Sequence, residues 1–281
     1  MFSNHSKTIF LILSLFFSTH SVANATKEIP YTVSIVPQLS TLETYQQWEP
    51  VLEKLSEKTG LKFELKLAET IPAFEQQLSH KEPDFAFMNP YHLMMAHKKK
   101  TYLPLLRNSS NLLRGIIVIK NDSTISSLSD LNGKELAFPA PNSFGATLYI
   151  RGQLEKNQVK ITPIYVKTHS NVYRGVLMGD QIAGGGINIT FEQEPEDVRK
   201  KLKILYTSPE FPPHPFCASS RIPKSIREKV IDAFIQLSNN EDTAKLLKTI
   251  QIPKPIKADY SRDYKQLETL NLDKFVVTIK N

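Results

Sequence analysis

Glu135–Asn157, ELAFPAPNSFGATLYIRGQLEKN, reads as one repeat unit of an α/β fold. Glu135 to Phe138 is a short strand, Pro139 and Pro141 force a turn, and Asn142 or Ser143 caps a helix running from Phe144 to Asn157. The same alternation continues on both sides. Downstream, Lys160–Lys167 reads as a strand, Asn171–Met178 as a helix, Gln181–Ile187 as a strand and Lys203–Tyr206 as another. Upstream, Tyr31–Pro37 is a β-branched strand, and Leu42, Tyr45, Trp48, Leu52 and Leu55 mark a helix over Thr41–Gly60, with Gly60 at its stop. Leu61–Ala68 alternates as a strand, Ile71–Leu78 is a short helix capped by Thr70, Asp84–Met88 is a strand, and Tyr91–Lys99 is helical. Leu103–Leu106 and Leu113–Ile119 add strands, and Ser126–Leu131 is a helical turn before Gly133. Two β-α-β series, the second opening at Leu113, predict an α/β protein of two lobes, each a mostly parallel sheet flanked by helices. After the proline-rich stretch Ser208–Pro215 the pattern is helical: Ile226, Val230, Ile231 and Phe234 mark one helix, Ala244–Ile250 a second, and Tyr264–Leu270 a third.

The first 25 residues read as a secretory signal peptide rather than as part of the fold. Lys7 supplies the positive start, Ile9–Phe17 the apolar run, and Ala23-Asn24-Ala25 a small-residue cleavage site. The run is too short for a spanning helix, which needs about 20 apolar residues. No cysteine near the cleavage site is available to carry a lipid, so an exported, soluble, periplasmic and monomeric protein is expected. Cys217 is the only cysteine, which excludes an intramolecular disulfide and makes a buried structural thiol the expectation. The formal charge of +7 is scattered, apart from Lys98-Lys99-Lys100 at the end of a helical stretch, where cations complement the helix dipole. There is no basic stripe interleaved with aromatics, which argues against nucleic acid as a partner.

Ligands of open α/β sheets bind beyond the carboxyl ends of strands, where helices begin. Four segments fall at such places. In Phe138–Ala146 the free N–H groups of a helix start can hold an anion, with Gly145 and Ala146 permitting close approach, although plain capping is the better account of the segment taken alone. Met88-Asn89-Pro90-Tyr91-His92 offers side-chain donors, or else a polar loop that satisfies itself. Thr168-His169-Ser170-Asn171 carries a histidine whose charge can answer an oxyanion, or equally a Ser170 cap beside a merely polar histidine. Gly184-Gly185-Gly186 marks a close approach by ligand or backbone, or a bulge. Catalytic patterns are weak: Ser143 and His169 lack a G-x-S-x-G elbow, and His92 and His97 are five apart, off any shared helical face. No enzyme activity, metal or other cofactor is expected.

In order and spacing these pieces resemble the phosphate, phosphite and phosphonate substrate-binding proteins of ABC importers. The resemblance is carried by Val36-Pro-Gln-Leu-Ser with Trp48-Glu-Pro-Val-Leu, Asp84–Tyr91, Ser127–Lys134, Phe138–Ser143, His169 and Pro212–Phe216, with Phe138–Arg151 the most telling. It implies a periplasmic-binding-protein fold of type II, with 26–112 and 219–281 forming one lobe and 113–218 the other. The hinge crossovers would lie near 111–115 and 208–218, and the cleft would close on its ligand. It implies a small oxyanion as ligand and an ABC permease as partner. A protein that reports to a membrane histidine kinase or cyclase would share the same fold, and a periplasmic hydrolase is the remaining alternative. Ser143 and His169 carry over as ligand contacts. The implied set is Ser143 with the amides of Phe144, Gly145 and Ala146, a charge-assisted donor at His169, and Asn89 and Tyr91 closing from the other lobe. Phe144 replaces a hydroxyl of the family motif, and its ring could stack on an organic ligand instead. Asn188 and His214 stand where relatives that bind amino-phosphonates place acids. Without a counter-charge, a buried ligand ammonium is costly, so a preference against aminoalkylphosphonates is expected.

Overall fold

The computed structural model describes Met1 and residues 29–277, so the leader expected over 1–25 lies, Met1 apart, outside the described residues. Among the described residues no helix is long and apolar enough to cross a membrane.

The chain opens with β1 (Tyr31–Ile35), α1 (Thr41–Thr59) and β2 (Phe63–Leu65), then α2 (Ile71–Ser79), β3 (Phe85–Phe87), α3 (Pro90–Lys98) and β4 (Tyr102–Asn108). Ser40 and Glu43 form a capping box that starts α1, and Gly60, at φ 68°, ends it in the left-handed conformation that glycine adopts without strain. The second series is β5 (Gly115–Lys120), β6 (Lys134–Phe138), a π-helical segment Phe144–Tyr149 running into α4 (Ile150–Lys156), β7 (Ile161–Tyr165), α5 (His169–Met178) and β8 (Ala183–Ile187). The short helices α6 (Asn188–Gln193) and α7 (Glu196–Arg199) lead to β9 (Leu202–Thr207). The chain then returns through β10 (Phe216–Ser219), α8 (Lys224–Ser238), α9 (Glu241–Thr249) and β11 (Pro255–Lys257), with π and 3-10 turns over Tyr260–Phe275.

Two sheets result. One has the order β11-β4-β10-β3-β1-β2, the other β7-β6-β8-β5-β9. The two-lobed α/β architecture is present, but the sheets are mixed rather than mostly parallel. Only β1–β2, β1–β3, β6–β7 and β6–β8 pair in parallel. The chain re-enters the first sheet at β10, which runs antiparallel to both β3 and β4, and β5 runs antiparallel to β8 and β9. Periodicity cannot report strand direction, so these reversals left no local mark. Residues 216–218, grouped above with the second lobe, pair in the first sheet. The short strand FCAS, buried throughout, was hidden behind the proline-rich stretch.

The chain passes between the sheets twice, after β4 and after β9, and the two passages touch. Leu113 and Phe211 exchange both backbone hydrogen bonds, at 2.9 and 2.8 Å. The first lobe is centred on Trp48, Phe85, Phe87, Phe216 and Phe234, with Trp48 stacked 6.0 Å from Phe216 and Phe85 stacked 5.8 Å from it. Two smaller cores lie on the two faces of the second sheet, one around Leu136, Phe138, Ile150 and Leu154, the other around Val118, Val172, Tyr173 and Val176. Cys217 sits at 0 % exposure as a free thiol, and burial pushes its pKa up.

The triple glycine belongs to β8, which is buried along its whole length. Its register with β5 is regular, without a bulge, and what approaches it is the protein's own packing. A Cβ on Gly185 would lie 2.3 Å from the Ala146 carbonyl oxygen and 2.5 Å from the Phe138 ring, and one on Gly186 would strike the Tyr173 hydroxyl at 2.4 Å. The Phe144–Tyr149 segment is therefore pressed directly on the strand. Gly185→Ala is expected to lower unfolding stability by about 1–3 kcal/mol through overpacking. Urea denaturation checks this, and an unchanged midpoint would show that the contact gives way.

Candidate functional site

Because β6 and β7 are parallel neighbours, their carboxyl ends emerge at one edge of the second sheet, and both following helices start there. The first start is Ser143. Its carbonyl accepts from both Thr147 (2.9 Å) and Leu148 (3.0 Å), the widened turn of a π-helix, and Thr147 Oγ1 ties back to the Ala140 carbonyl at 2.7 Å. Such π segments occur frequently at functional sites. The Ser143 side chain makes no capping bond, and the N–H groups of Phe144, Gly145 and Ala146 meet no acceptor among the described residues. Three adjacent amides and a hydroxyl thus stand free at a helix start, the arrangement that receives an anion. The Phe144 ring is fully buried, edge-on to Phe211 at 5.3 Å. It is part of the packing around the crossover, not a stacking surface for a ligand.

The second start is His169, placed by the Thr168 cap of α5. Its backbone N–H crosses to the first lobe and donates to the Gln38 carbonyl at 3.2 Å. Gln38 follows β1 and is the hub of the cleft. Its Oε1 accepts from Gln251 Nε2 at 2.9 Å, which orients the amide so that Nε2 faces His214 Nε2 at 3.1 Å. An amide nitrogen can only donate, so His214 Nε2 accepts and its proton sits on Nδ1. That Nδ1 is buried with no partner, as is His169 Nδ1. His214 also stacks on Phe87, 5.5 Å between rings.

Burial pushes the pKa of His169 down to about 3. Burial above all pushes His214 to about 3 as well, and positive charge on His169 or His92 would push it the same way. Both rings are neutral at ordinary pH; the His214 Nδ1–H is a donor that nothing in the protein uses, and the His169 Nδ1 stands without a partner. Tyr91 is held up near 12 by burial and by the charges of Glu75 and Asp273, so its phenol stays protonated.

Asn89 and Asn188 are committed elsewhere. Asn89 caps α3, accepting from His92 N at 2.9 Å, and its Nδ2 donates to the Asn142 carbonyl across the cleft at 3.2 Å. Asn188 Oδ1 accepts from Arg114 N at 2.8 Å, and its Nδ2 donates to the Leu112 carbonyl at 3.1 Å. Asn188 therefore braces the first crossover strand through both amide atoms. Tyr91 lines a cavity of about 220 Å³ beside the Ser143 turn, together with Glu75, His92, Asn142, Val276 and Val277. Gln38, Glu75, Asn142 and Gln251 were missed as contributors. Gln38 lies just past a strand's carboxyl end, so the rule that found the other four segments could have found it. The others are brought in only by tertiary contact. Among the described residues no cluster of metal-ligating side chains occurs.

Residues 33–264 match the model of a family described as ABC transporter, phosphonate, periplasmic substrate-binding protein. The chain belongs to this family. Its members are substrate-binding proteins of ABC transporters, not enzymes. The fold agrees with solved structures that share little sequence with it. The binding protein component of an ABC phosphonate transporter from Pseudomonas aeruginosa is 19 % identical, with 88 % of this chain and 87 % of that one covered and a TM-score of 0.78. PhnD1 from Prochlorococcus marinus, in complex with methylphosphonate, is 14 % identical over 87 % of this chain and 97 % of its own, at a TM-score of 0.77. XAC2383 from Xanthomonas citri, bound to chloride ion, is 16 % identical over 87 % and 98 %, at a TM-score of 0.71.

The two neutral histidines make stability depend on pH. Each has a folded pKa below its unfolded value of 6.5, so the unfolded chain binds more protons as the solution is acidified. Stability of the anion-free protein is therefore expected to fall as pH drops below about 6.5, by at most about 1.4 kcal/mol per pH unit for each ring. Denaturation midpoints across that range test the sign. His169→Gln should flatten part of the slope, and an equal slope in the variant would remove His169 from the account.

Proposed function

We propose that this member of the family captures a small phosphorus oxyanion in the periplasm, of the phosphonate, phosphite or phosphate class, and delivers it to an ABC permease. The reading is supported by the free amides of Phe144, Gly145 and Ala146 and the Ser143 hydroxyl at one helix start, by the unpartnered Nδ1 of His169 at the start that follows the neighbouring parallel strand, and by the unpartnered Nδ1 of His214. An acceptor-rich anion is the ligand that satisfies them together. The closed arrangement, with His169 N–H bonded to Gln38 across the gap, fits capture by hinge closure about the paired passages at Leu113 and Phe211. We assign residues 1–25 to a cleaved leader and place the hinges at these passages. His169 receives a proton as the anion arrives, because negative charge beside the ring favours imidazolium.

A thermal-shift screen of the protein against phosphate, phosphite, methylphosphonate, sulfate and 2-aminoethylphosphonate tests the proposal. A specific phosphorus oxyanion is expected to stabilise the protein by about 2.7 kcal/mol at a hundredfold excess over its dissociation constant. Because neither Asn188 nor His214 is a carboxylate, 2-aminoethylphosphonate should bind more weakly than methylphosphonate. No stabilisation by any phosphorus anion, or a preference for sulfate, would refute the ligand class. Ser143→Ala should cost about 1–3 kcal/mol of binding where a donor to a charged ligand is lost. Affinity should also rise between about pH 8 and about pH 6 in wild type relative to His169→Gln, a difference that cancels the ligand's own ionisation.

A further inference from the structure

Asn142 has more bonds across the cleft than any residue of the expected ligand set. Its Nδ2 donates to Glu75 Oε2 of the first lobe at 3.1 Å and to the Val277 carbonyl at 2.9 Å. Its Oδ1 accepts from Val277 N at 3.0 Å, and its own carbonyl accepts from Asn89 Nδ2 at 3.2 Å. Glu75 is itself held by His92 Nε2 at 2.9 Å. Asn142 immediately precedes Ser143, so whatever fixes Asn142 fixes the start of the anion-binding turn.

Val277 ends a segment that leaves the first lobe and lies on the second. The 3-10 turn Leu272–Phe275 packs on α4. A Cβ on Gly152 would come within 3.3 Å of Leu272 and 3.4 Å of Phe275, so glycine sets how closely the segment can lie. Arg151 donates to the Phe275 carbonyl at 3.2 Å and places its guanidinium 5.0 Å from the centre of the Phe275 ring, while Lys274 pairs with Glu155. The same stretch therefore touches the helix beyond the turn and the residue before it.

We infer that Asn142 is a positioning residue and that Leu272–Val277 is a strap which, through Asn142, latches the Ser143 turn against the first lobe. Closure of the cleft then depends on the strap as well as on the ligand. The latch couples the C-terminal segment to ligand affinity, although that segment supplies no group to the free donors. The inference rests on the hinged-capture reading, but its test needs no ligand. Failure to find a bound anion would leave the test intact.

The reporter is the His169 amide, which donates to Gln38 across the cleft and touches neither Asn142 nor the strap. Native-state hydrogen exchange is followed in anion-free wild type, in Asn142→Ala, in a chain ending at Asn271, and in the combination. Exchange at His169 is expected to quicken by about tenfold in each single variant, the size of an ordinary coupling between sites. The combination should be no faster than Asn142→Ala alone, because the strap acts through the Asn142 side chain that this variant has already removed. Small-angle scattering should show the same molecules expanding. Protection in the middle of β3 and β6 serves as the control for folding. Should either variant fail it, Lys274→Glu, an exposed change that sets like charge against Glu155, provides the same readout with the core untouched. Unchanged exchange at His169, or effects that add in the combination, would overturn the latch.

Discussion

Everything at the cleft depends on how closely the Phe144–Tyr149 segment lies on the second sheet. Gly185 is approached by the Ala146 carbonyl and Gly115 by the Gly145 carbonyl, each at a separation of 2.3 Å from where a side chain would begin. Only glycine leaves room for backbone to rest on backbone in this way. With the segment seated, its first amides project past the strand ends, and Asn142 is carried far enough to reach the opposite lobe. The glycines that looked like a ligand-approach motif thus act indirectly, by placing the helix start whose amides stand free.

The second organising feature is the burial of polar groups with capacity to spare. Buried donors are ordinarily satisfied, and an unsatisfied one costs about 1–3 kcal/mol. Finding His169 and His214 both with an unpartnered nitrogen, on opposite sides of the cleft, describes a site organised for something that accepts hydrogen bonds. Their neutrality has a consequence for energetics. A protonated pair facing each other in the unliganded cleft would repel, whereas a neutral pair lets the lobes come together and gains charge only when an anion supplies the counter-charge.

Closure itself is distributed over Gln38, Asn89 and Glu75 in the first lobe, His169 and Asn142 in the second, and the C-terminal strap. Few of these contacts involve groups that also face the ligand. Hinge motion and ligand affinity can therefore be tuned at separate positions, and Asn188 illustrates the point: a residue expected to touch ligand instead stiffens the passage between the lobes.

Much of this was readable along the chain. Helix starts after Ser40 and Thr70, the stop at Gly60, and the strand-turn-helix unit around Phe138–Arg151 rest on local chemistry, since caps, prolines and apolar spacing act between near neighbours. Local chemistry also marked Ser143 as a helix-start residue, whereas α5 begins at His169 under a Thr168 cap, ahead of the expected Asn171; the leader composition is likewise a property of sequence alone. Tertiary structure decided the direction of β5 and β10, the existence of the short strand Phe216–Ser219, the packing role of Phe144 and the glycine run, and the commitment of Asn188 to the crossover. It also recruited Gln38, Glu75 and Val277, which lie far along the chain from the His169 and Asn142 that they bond. Strand direction and cross-lobe partners are set by long-range contacts, and the energy of such contacts leaves no period or spacing in the sequence to be read.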